Sequence, residues 1–189
     1  MSAEVGRRPT VVGIGTPGIA DPVTGCMKNS NTTVLIGKPL RGDLRSSLNT
    51  QVVMANDANC FALAESVFGA AQDAASVFGV IMGTGVGGGI VHEGRVWGGH
   101  HGIGGEWGHN HLDDSGGPCY CGRTGCVETV ISGTGLQQYY ERISGHHKNL
   151  RDIVADASND PHAAATMARL HDFFGRAVAV VTNLLDPDV

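Results

Sequence analysis

Apolar and polar positions follow two regimes along the chain. Early on, short apolar runs are broken by glycine, proline and asparagine; later they recur at helical spacing. Thr10–Gly15 (TVVGIG) predicts a short buried strand, followed by the turn-rich TPGIADPVTG. Asn29–Thr33 is a polar loop, and Pro39–Leu48 predicts one short helix with Asp43 near its start. Gln51–Ala55 (QVVMA) reads as a strand. From Asp57 the pattern turns helical, with Cys60, Ala64, Val67, Phe68 and Ala71 at the spacing of one face. Ser76–Met82 (SVFGVIM) is a strand that runs into GTGVGGG. Ile90–His92 and Arg95–Trp97 then read as short strands around a Glu93-Gly94 turn, an antiparallel hairpin pattern. Beyond residue 130, Ser132 or Thr134 can cap a helix through LQQYYERI that ends near Gly145. Asn149–Ala157 is a short amphipathic helix closed by Asn159-Asp160-Pro161. His162–Leu185 is the longest helix, with Met167, Leu170, Phe174, Ala177, Val178, Val181 and Leu185 forming an ordinary core stripe. The last four residues, Asp186–Val189, look like the approach to another strand.

Composition narrows this picture. The 189 residues suffice for one ordinary domain or two small lobes, and with 41% hydrophobic and 16% charged residues the chain can bury a core. Glycine is the outlier: 29 residues, roughly twice the usual share of about 7%, which implies tight turns or close backbone approaches. A net charge of −5 argues against a nucleic-acid surface. The N-terminus carries no signal-peptide pattern, and no apolar run approaches the ~20 residues that span a bilayer. Five cysteines, three of them clustered, fit metal-bound thiolates in a reducing cytoplasm better than a disulfide framework.

Candidate chemistry concentrates in Gly105–Glu128, GEWGHNHLDDSGGPCYCGRTGCVE. Cys119, Cys121 and Cys126 fall within eight residues, with His109 and His111 upstream. Three thiolates and one imidazole fill a tetrahedral zinc shell and leave no open position, so the predicted site is structural; spacing does not choose between His109 and His111. Glu106 and Glu128 bracket this cluster as acceptors for hydroxyl donors, which sugars supply in number. Asn56 and Asp57 sit at a strand-to-helix junction, where they serve either as N-cap or as the carboxylate that α/β proteins place at a strand's C-terminal end. The run Gly83–Gly89 holds more glycine than a hairpin tip requires and suggests a phosphate cradle, although no Gly-Lys-Ser/Thr follows to make it a P-loop. Gly13, Gly15 and Gly18 fit G-x-G-x-x-G, but Pro17, Asp21, Pro22 and Gly25 occupy the place of the helix a dinucleotide needs. His146 and His147 read as exposed residues at a helix C-terminus.

These residues resemble the ROK family of sugar kinases and sugar-responsive repressors. The resembling segments are Gly13–Gly25, Asn56–Glu65, Gly83–Ile90, Gly105–His109 and Pro118–Thr129, in the family's order. The resemblance implies an α/β chain with the two-lobe actin-like ATPase (ribonuclease H-like) fold, incomplete at both termini. Residues 1–69 would belong to the N-terminal lobe, and 70–189 to a C-terminal lobe carrying the phosphate and zinc loops. GEWGHN, PCYCG and ETVISGTG are similar to fructokinases of the manno(fructo)kinase type, which implies ATP-dependent phosphorylation of D-fructose. The alternatives are an N-acetylglucosamine or glucose kinase of the family, or a repressor. Carried over by motif, Asp57 is the general base. Gly18, Asn31, Asn56, Glu106, His109 and Glu128 join Asp57 around the hexose. Gly83, Thr84, Gly85, Val86, Gly87, Gly88, Gly89 and Ile90 cradle ATP with Mg²⁺, and His109, Cys119, Cys121 and Cys126 bind zinc. His109 would turn its other ring nitrogen toward the sugar. The family further implies a cytoplasmic homodimer that contacts neither nucleic acid nor membrane. No Asp-x-Gly-Gly-Thr loop precedes Thr10, so this piece alone is expected to be nearly inactive, and the His109–Cys119 interval is shorter than in typical fructokinases.

Overall fold

The computed structural model describes residues 8–189; Met1–Arg7, the start of the first expected lobe, lie outside the described residues. Strand β1 (Val11–Thr16) pairs in parallel with β4 (Gln51–Asn56), in a register that sets Thr16 beside Asn56. Both strands therefore release the chain at the same edge. After β1 it enters the Pro17-Gly18 turn and the hairpin β2 (Ile19–Ala20) and β3 (Met27–Lys28). Gly18, at φ +74°, must be glycine, because a Cβ would lie 2.5 Å from the Lys28 carbonyl oxygen. Helix α1 (Leu40–Leu48) leads back to β4 through Asn49, which is left-handed at φ 47°.

The strand expected to be buried at Thr10–Gly15 is present as β1, but alternate residues face solvent, and Val11 and Val53 on the paired strands are about half exposed. Among the described residues this parallel sheet has only two strands. It lacks the cover that usually makes parallel strands uniformly apolar.

Helix α2 (Asp57–Phe68) packs on an antiparallel sheet of β5 (Ser76–Met82), β6 (Val86–His92) and β7 (Arg95–Val96). Its buried face is Ala58, Asn59 and Ala62, whereas Cys60, Val67 and Phe68 are exposed, so the face read from periodicity is corrected. The reason lies in the sheet. A Cβ on Gly79 would come within 2.7 Å of Ala62 Cβ, and one on Gly89 within 2.6 Å of the Ala58 carbonyl oxygen. Only alanines fit at that spacing, and a count weighted toward large apolar residues misses them. The glycine run is corrected in the same way: only Gly83–Gly85 form the turn, while Gly87, Gly88 and Gly89 lie in β6. Trp97 falls outside β7, which ends at Val96.

The chain then crosses the irregular stretch 97–126 and enters α3 (Val127–Ile131), α4 (Gly133–Ser144), α5 (Leu150–Asp156) and α6 (Pro161–Leu185). Ser132, Asn149 and Asp160 cap α4, α5 and α6 with side-chain oxygens, and Gly145 closes α4 at φ 75°. The main core joins Val86 and Trp107 to Val127, Val130 and Ile131 of α3 and to Ala177 and Val181 of α6. Leu170, Phe174, Val178 and Leu185 pack against it, as the periodic stripe predicts. At about 1.5–3 kcal/mol for each large apolar side chain, this burial holds α3 against the sheet. Tyr140 donates to Asp160 at 2.6 Å, and Lys148 reaches Asp156 at 2.8 Å and Asp160 at 3.0 Å, tying the three C-terminal helices together. The last residues run beside β5, with Phe78 N–H donating to the Val189 carbonyl at 2.8 Å.

Candidate functional site

A cleft of about 360 Å³ opens where the C-terminal ends of β1 and β4 face the β5–β6 turn and the loop before α3. All seven side chains or turns predicted around a hexose line it: Gly18, Asn31, Asn56, Asp57, Glu106, His109 and Glu128. Of the predicted phosphate residues, Gly83, Thr84, Gly85, Val86, Gly87 and Gly88 reach its wall. Gly89 is packed under α2 and Ile90 faces neighbouring hollows. A larger hollow of about 810 Å³ on the far side of Glu106 is walled by apolar residues such as Phe78, Trp107 and Leu184 together with Lys28, Asn110 and Arg123, and it shares Glu106, His109 and Tyr120 with the cleft.

The junction after β4 satisfies both readings through different residues. Asn56 is the N-cap of α2: its Oδ1 accepts from Ala58 N at 2.9 Å and Asn59 N at 3.2 Å. Its Nδ2 points at the Gly18 carbonyl, 3.5 Å away, which ties the β1 turn to the helix start. Asp57, the first helical residue, is exposed and lines the cleft. Glu128, in the first turn of α3, accepts from Val86 N at 3.0 Å and so pins the glycine turn. Glu106 is half-buried; burial, then the charges of Asp57 and Glu128, push its carboxyl above its ordinary value of 4.5. Three carboxylates thus converge on one small space, an arrangement that favours a polyhydroxyl ligand offering several donors.

The loop beside the cleft brings His109, Cys119, Cys121 and Cys126 together, with their ligand atoms all within 4.8 Å of one another. Cys121 Sγ lies 3.7 Å from Cys126 Sγ, and Cys119 Sγ lies 3.6 Å from His109 Nδ1. Tetrahedral zinc with ordinary bond lengths requires about 3.8 Å between sulfurs and about 3.5 Å between sulfur and nitrogen, so the donor set fits. His111 stands apart from this cluster, with Nε2 3.0 Å from Asp114 Oδ1 on the open surface. Burial pushes the Cys126 thiol up to about 12 and raises Cys119 as well, so deprotonated sulfur there requires a cation. Left-handed Gly125 closes the loop: a Cβ there would lie 2.6 Å from the Asp113 carbonyl oxygen.

Six lining residues lie outside the predicted site, Pro17, Asn29, Ala58, Ile81, Met82 and Tyr120, and of these Tyr120 meets a predicted residue directly. Tyr120, between two of the clustered cysteines, places its hydroxyl 3.0 Å from His109 Nε2, and the rings meet edge to face at 5.2 Å. His109's outer nitrogen therefore meets a phenol in this structure. Burial, then the negative charge of Glu128, push the phenol above its usual range, so it remains protonated. Its position between the two cysteines of C-x-C was the available signal; nothing in spacing says that the side chain turns into the cleft.

Comparison with known proteins converges on one family. The ROK family model matches residues 2–189. An N-acetyl-D-glucosamine kinase of Vibrio cholerae serotype O1 is 38% identical, covering 94% of this chain and 63% of that protein. The crystal structure of a ROK hexokinase from Thermus thermophilus superposes with a TM-score of 0.86 at 33% identity, covering all of this chain and 63% of that one. A ROK transcriptional regulator, a homologue of the E. coli MLC protein, superposes at 0.80 with 33% identity, covering 99% of this chain and 50% of that one. The chain thus spans less than two thirds of the length of these relatives. Among the described residues no helix is long and apolar enough to cross a membrane. With the family match running nearly end to end and the mixed α/β architecture shared, this chain belongs to the ROK family and carries part of its actin-like ATPase fold.

Proposed function

We propose that the protein is an ATP-dependent hexose kinase. The observation that carries the reading is the convergence of Asp57, Glu106 and Glu128 on one cleft beside the Gly83–Gly85 turn. Asp57, at a helix start and a strand end, takes the proton from the sugar hydroxyl as that oxygen bonds to the γ-phosphorus; the β–γ bridging oxygen leaves with ADP. Asn56, Glu106 and Glu128 orient the hydroxyl array, with Gly18 and Asn31 closing the other side. The Gly83–Gly85 turn and the adjoining start of β6 face the phosphates. Mg²⁺, when bound with ATP, supplies neutralising charge to the phosphates. His109, Cys119, Cys121 and Cys126 hold a structural zinc that stiffens the wall carrying Glu106 and Glu128.

The identity to an N-acetyl-D-glucosamine kinase supports a gluco-configured aldohexose or its N-acetyl derivative as substrate. Fructose, the substrate implied by GEWGHN and PCYCG, has no such support and ranks behind it. A sugar-responsive regulator is the second reading, favoured by the superposition on such a protein; it requires hexose binding without turnover.

A panel of N-acetylglucosamine, glucose, mannose and fructose with ATP, run on the full-length open reading frame as wild type and as Asp57→Asn, tests the proposal. Wild type phosphorylates at least one hexose, and Asp57→Asn lowers kcat by about 10²-fold or more with little change in KM. Sugar binding without phosphorylation by wild type would point to the regulator, and a loss below about tenfold in the variant would remove Asp57 as base.

A further inference from the structure

We propose that Tyr120 donates a hydrogen bond to the bound hexose, with the direction of that donation set by His109 and the metal loop. This rests on the hexose-kinase reading and concerns what that cleft offers a sugar oxygen. A hexose hydroxyl both donates and accepts, and ring or acetamide oxygens only accept. Ionised carboxylates serve only the donors. Among the described residues lining the cleft there is no lysine or arginine, and Asn56 Nδ2 already points at the Gly18 carbonyl at 3.5 Å. The other side-chain donors lining the cleft are Asn29, Asn31 and Thr84, and, beside Glu106, His109 and Tyr120.

The geometry makes His109 and Tyr120 one unit. His109 Nδ1 faces Cys119 Sγ at 3.6 Å and Nε2 faces the Tyr120 hydroxyl at 3.0 Å. When Nδ1 gives its lone pair to a cation, a neutral imidazole carries its proton on Nε2, and that N–H donates to the phenol oxygen. The phenol's own proton is then free for a cleft acceptor. Tyr120 is flanked in sequence by Cys119 and Cys121, so its backbone is held on both sides by the ligand loop. Tyr120 is 54% exposed and lines the cleft together with Glu106 and Glu128. A donor placed among carboxylates in this way reads one sugar oxygen while they read the hydroxyl hydrogens.

Tyr120→Phe keeps the ring and removes only the hydroxyl. Hexose affinity is measured by isothermal titration, with kcat and KM alongside, for the preferred hexose and its monodeoxy analogues; metal content is read with a colorimetric zinc chelator. Tyr120→Phe is expected to bind the hexose about 3- to 10-fold more weakly, the worth of one hydrogen bond, with KM rising and kcat nearly unchanged. One deoxy analogue should bind wild type more weakly by a similar factor, yet bind the variant as the parent sugar does. Zinc content should match wild type. Unchanged affinity, an equal loss for every deoxy analogue, or weaker binding accompanied by zinc loss would each overturn the assignment. A wild-type protein that binds no hexose would overturn the kinase reading itself, whereas a hexose-binding wild type with an indistinguishable variant overturns only the role of Tyr120.

Discussion

Gly89→Ala separates two explanations of the glycine run, phosphate contact and helix packing. A Cβ at residue 89 would stand 2.6 Å from the Ala58 carbonyl oxygen, 2.9 Å from Ala62 Cβ and 3.0 Å from the Ala58 carbonyl carbon. Ordinary van der Waals contact begins near 3.4 Å, so the Ala58 backbone must retreat by about 0.8 Å. No side-chain rotation relieves this, because the obstacle is helix backbone in the turn that starts with Asp57. Overpacking of this kind costs about 1–3 kcal/mol, and each kcal/mol lowers Tm by about 2–4 °C in a protein of this size. The same retreat carries Asp57, the proposed base, with it, and a shift of about 1 Å at a group in that role would cost on the order of 10²-fold in rate. Thermal unfolding by circular dichroism and steady-state kinase assays read the two effects. Gly87→Ala is the control: its neighbours are the side chains Ile81 Cγ1 at 3.2 Å and Ala58 Cβ at 3.3 Å, so it should be milder on both counts. A Gly89→Ala protein with wild-type Tm but a raised KM for ATP would refute the packing account and return residue 89 to the phosphates.

Two further perturbations address the carboxylates and the metal loop. Glu106 titrates above its ordinary 4.5 because burial and the charges of Asp57 and Glu128 disfavour its ionised form. The folded state then holds a proton that the unfolded chain has lost, so Glu106 lowers stability as pH rises from 4.5 through its folded value. Glu106→Gln should therefore melt higher than wild type at pH 8 and converge with it near pH 4; a constant difference across that range would contradict the cause assigned. Cys126→Ser removes a fully buried member of the ligand set. Zinc measured by mass spectrometry should fall from roughly one equivalent per chain toward zero, with a lower Tm that added zinc does not restore. Full zinc retention would show that the other three groups suffice.

How far the sequence spoke for the structure depended on which physical signal each element carried. The C-terminal helices were readable because Ser132, Asn149, Asp160 and Gly145 state their ends chemically and the α6 stripe is made of large residues. Strand β5 and the Glu93-Gly94 turn were equally plain, the turn residues taking φ 49° and 71°. The face of α2 was misread because what selects Ala58 and Ala62 is a long-range partner, the glycines of β5 and β6. Local periodicity carries no information about them. Glu106, Glu128, the Asn56-Asp57 junction and the glycine run stand out by residue type and position, whereas Gly18, Asn31 and the sugar-facing role of His109 come only through family motifs. Spacing alone left Asp57 as a possible cap, and the cap is Asn56. The same limit explains Tyr120: C-x-C spacing marks the cysteines and says nothing of the residue between them.

Under the proposed function, the cleft also suggests what a metal-bound loop would do beside a polyol site. Glu106 and Glu128 are separated in sequence by the entire ligand cluster, yet both face Asp57, and their mutual repulsion is part of what raises Glu106. Without a restraint, the loop from His109 to Cys126 could relax outward and separate the charges. The restraint comes from both ends: Glu128 is pinned on Val86 N by α3, whose Val130 and Ile131 are wholly buried, and Glu106 lies three residues before the ligand His109. A cation joining His109 to Cys126 therefore fixes the distance between two carboxylates that repel each other, and a bound hexose contributes the hydroxyl hydrogens that offset the repulsion. On the proposed function, like charges held in place by a rigid loop would form a site poor at holding nothing and good at holding a sugar, and the metal's contribution would be one of preorganisation rather than of chemistry.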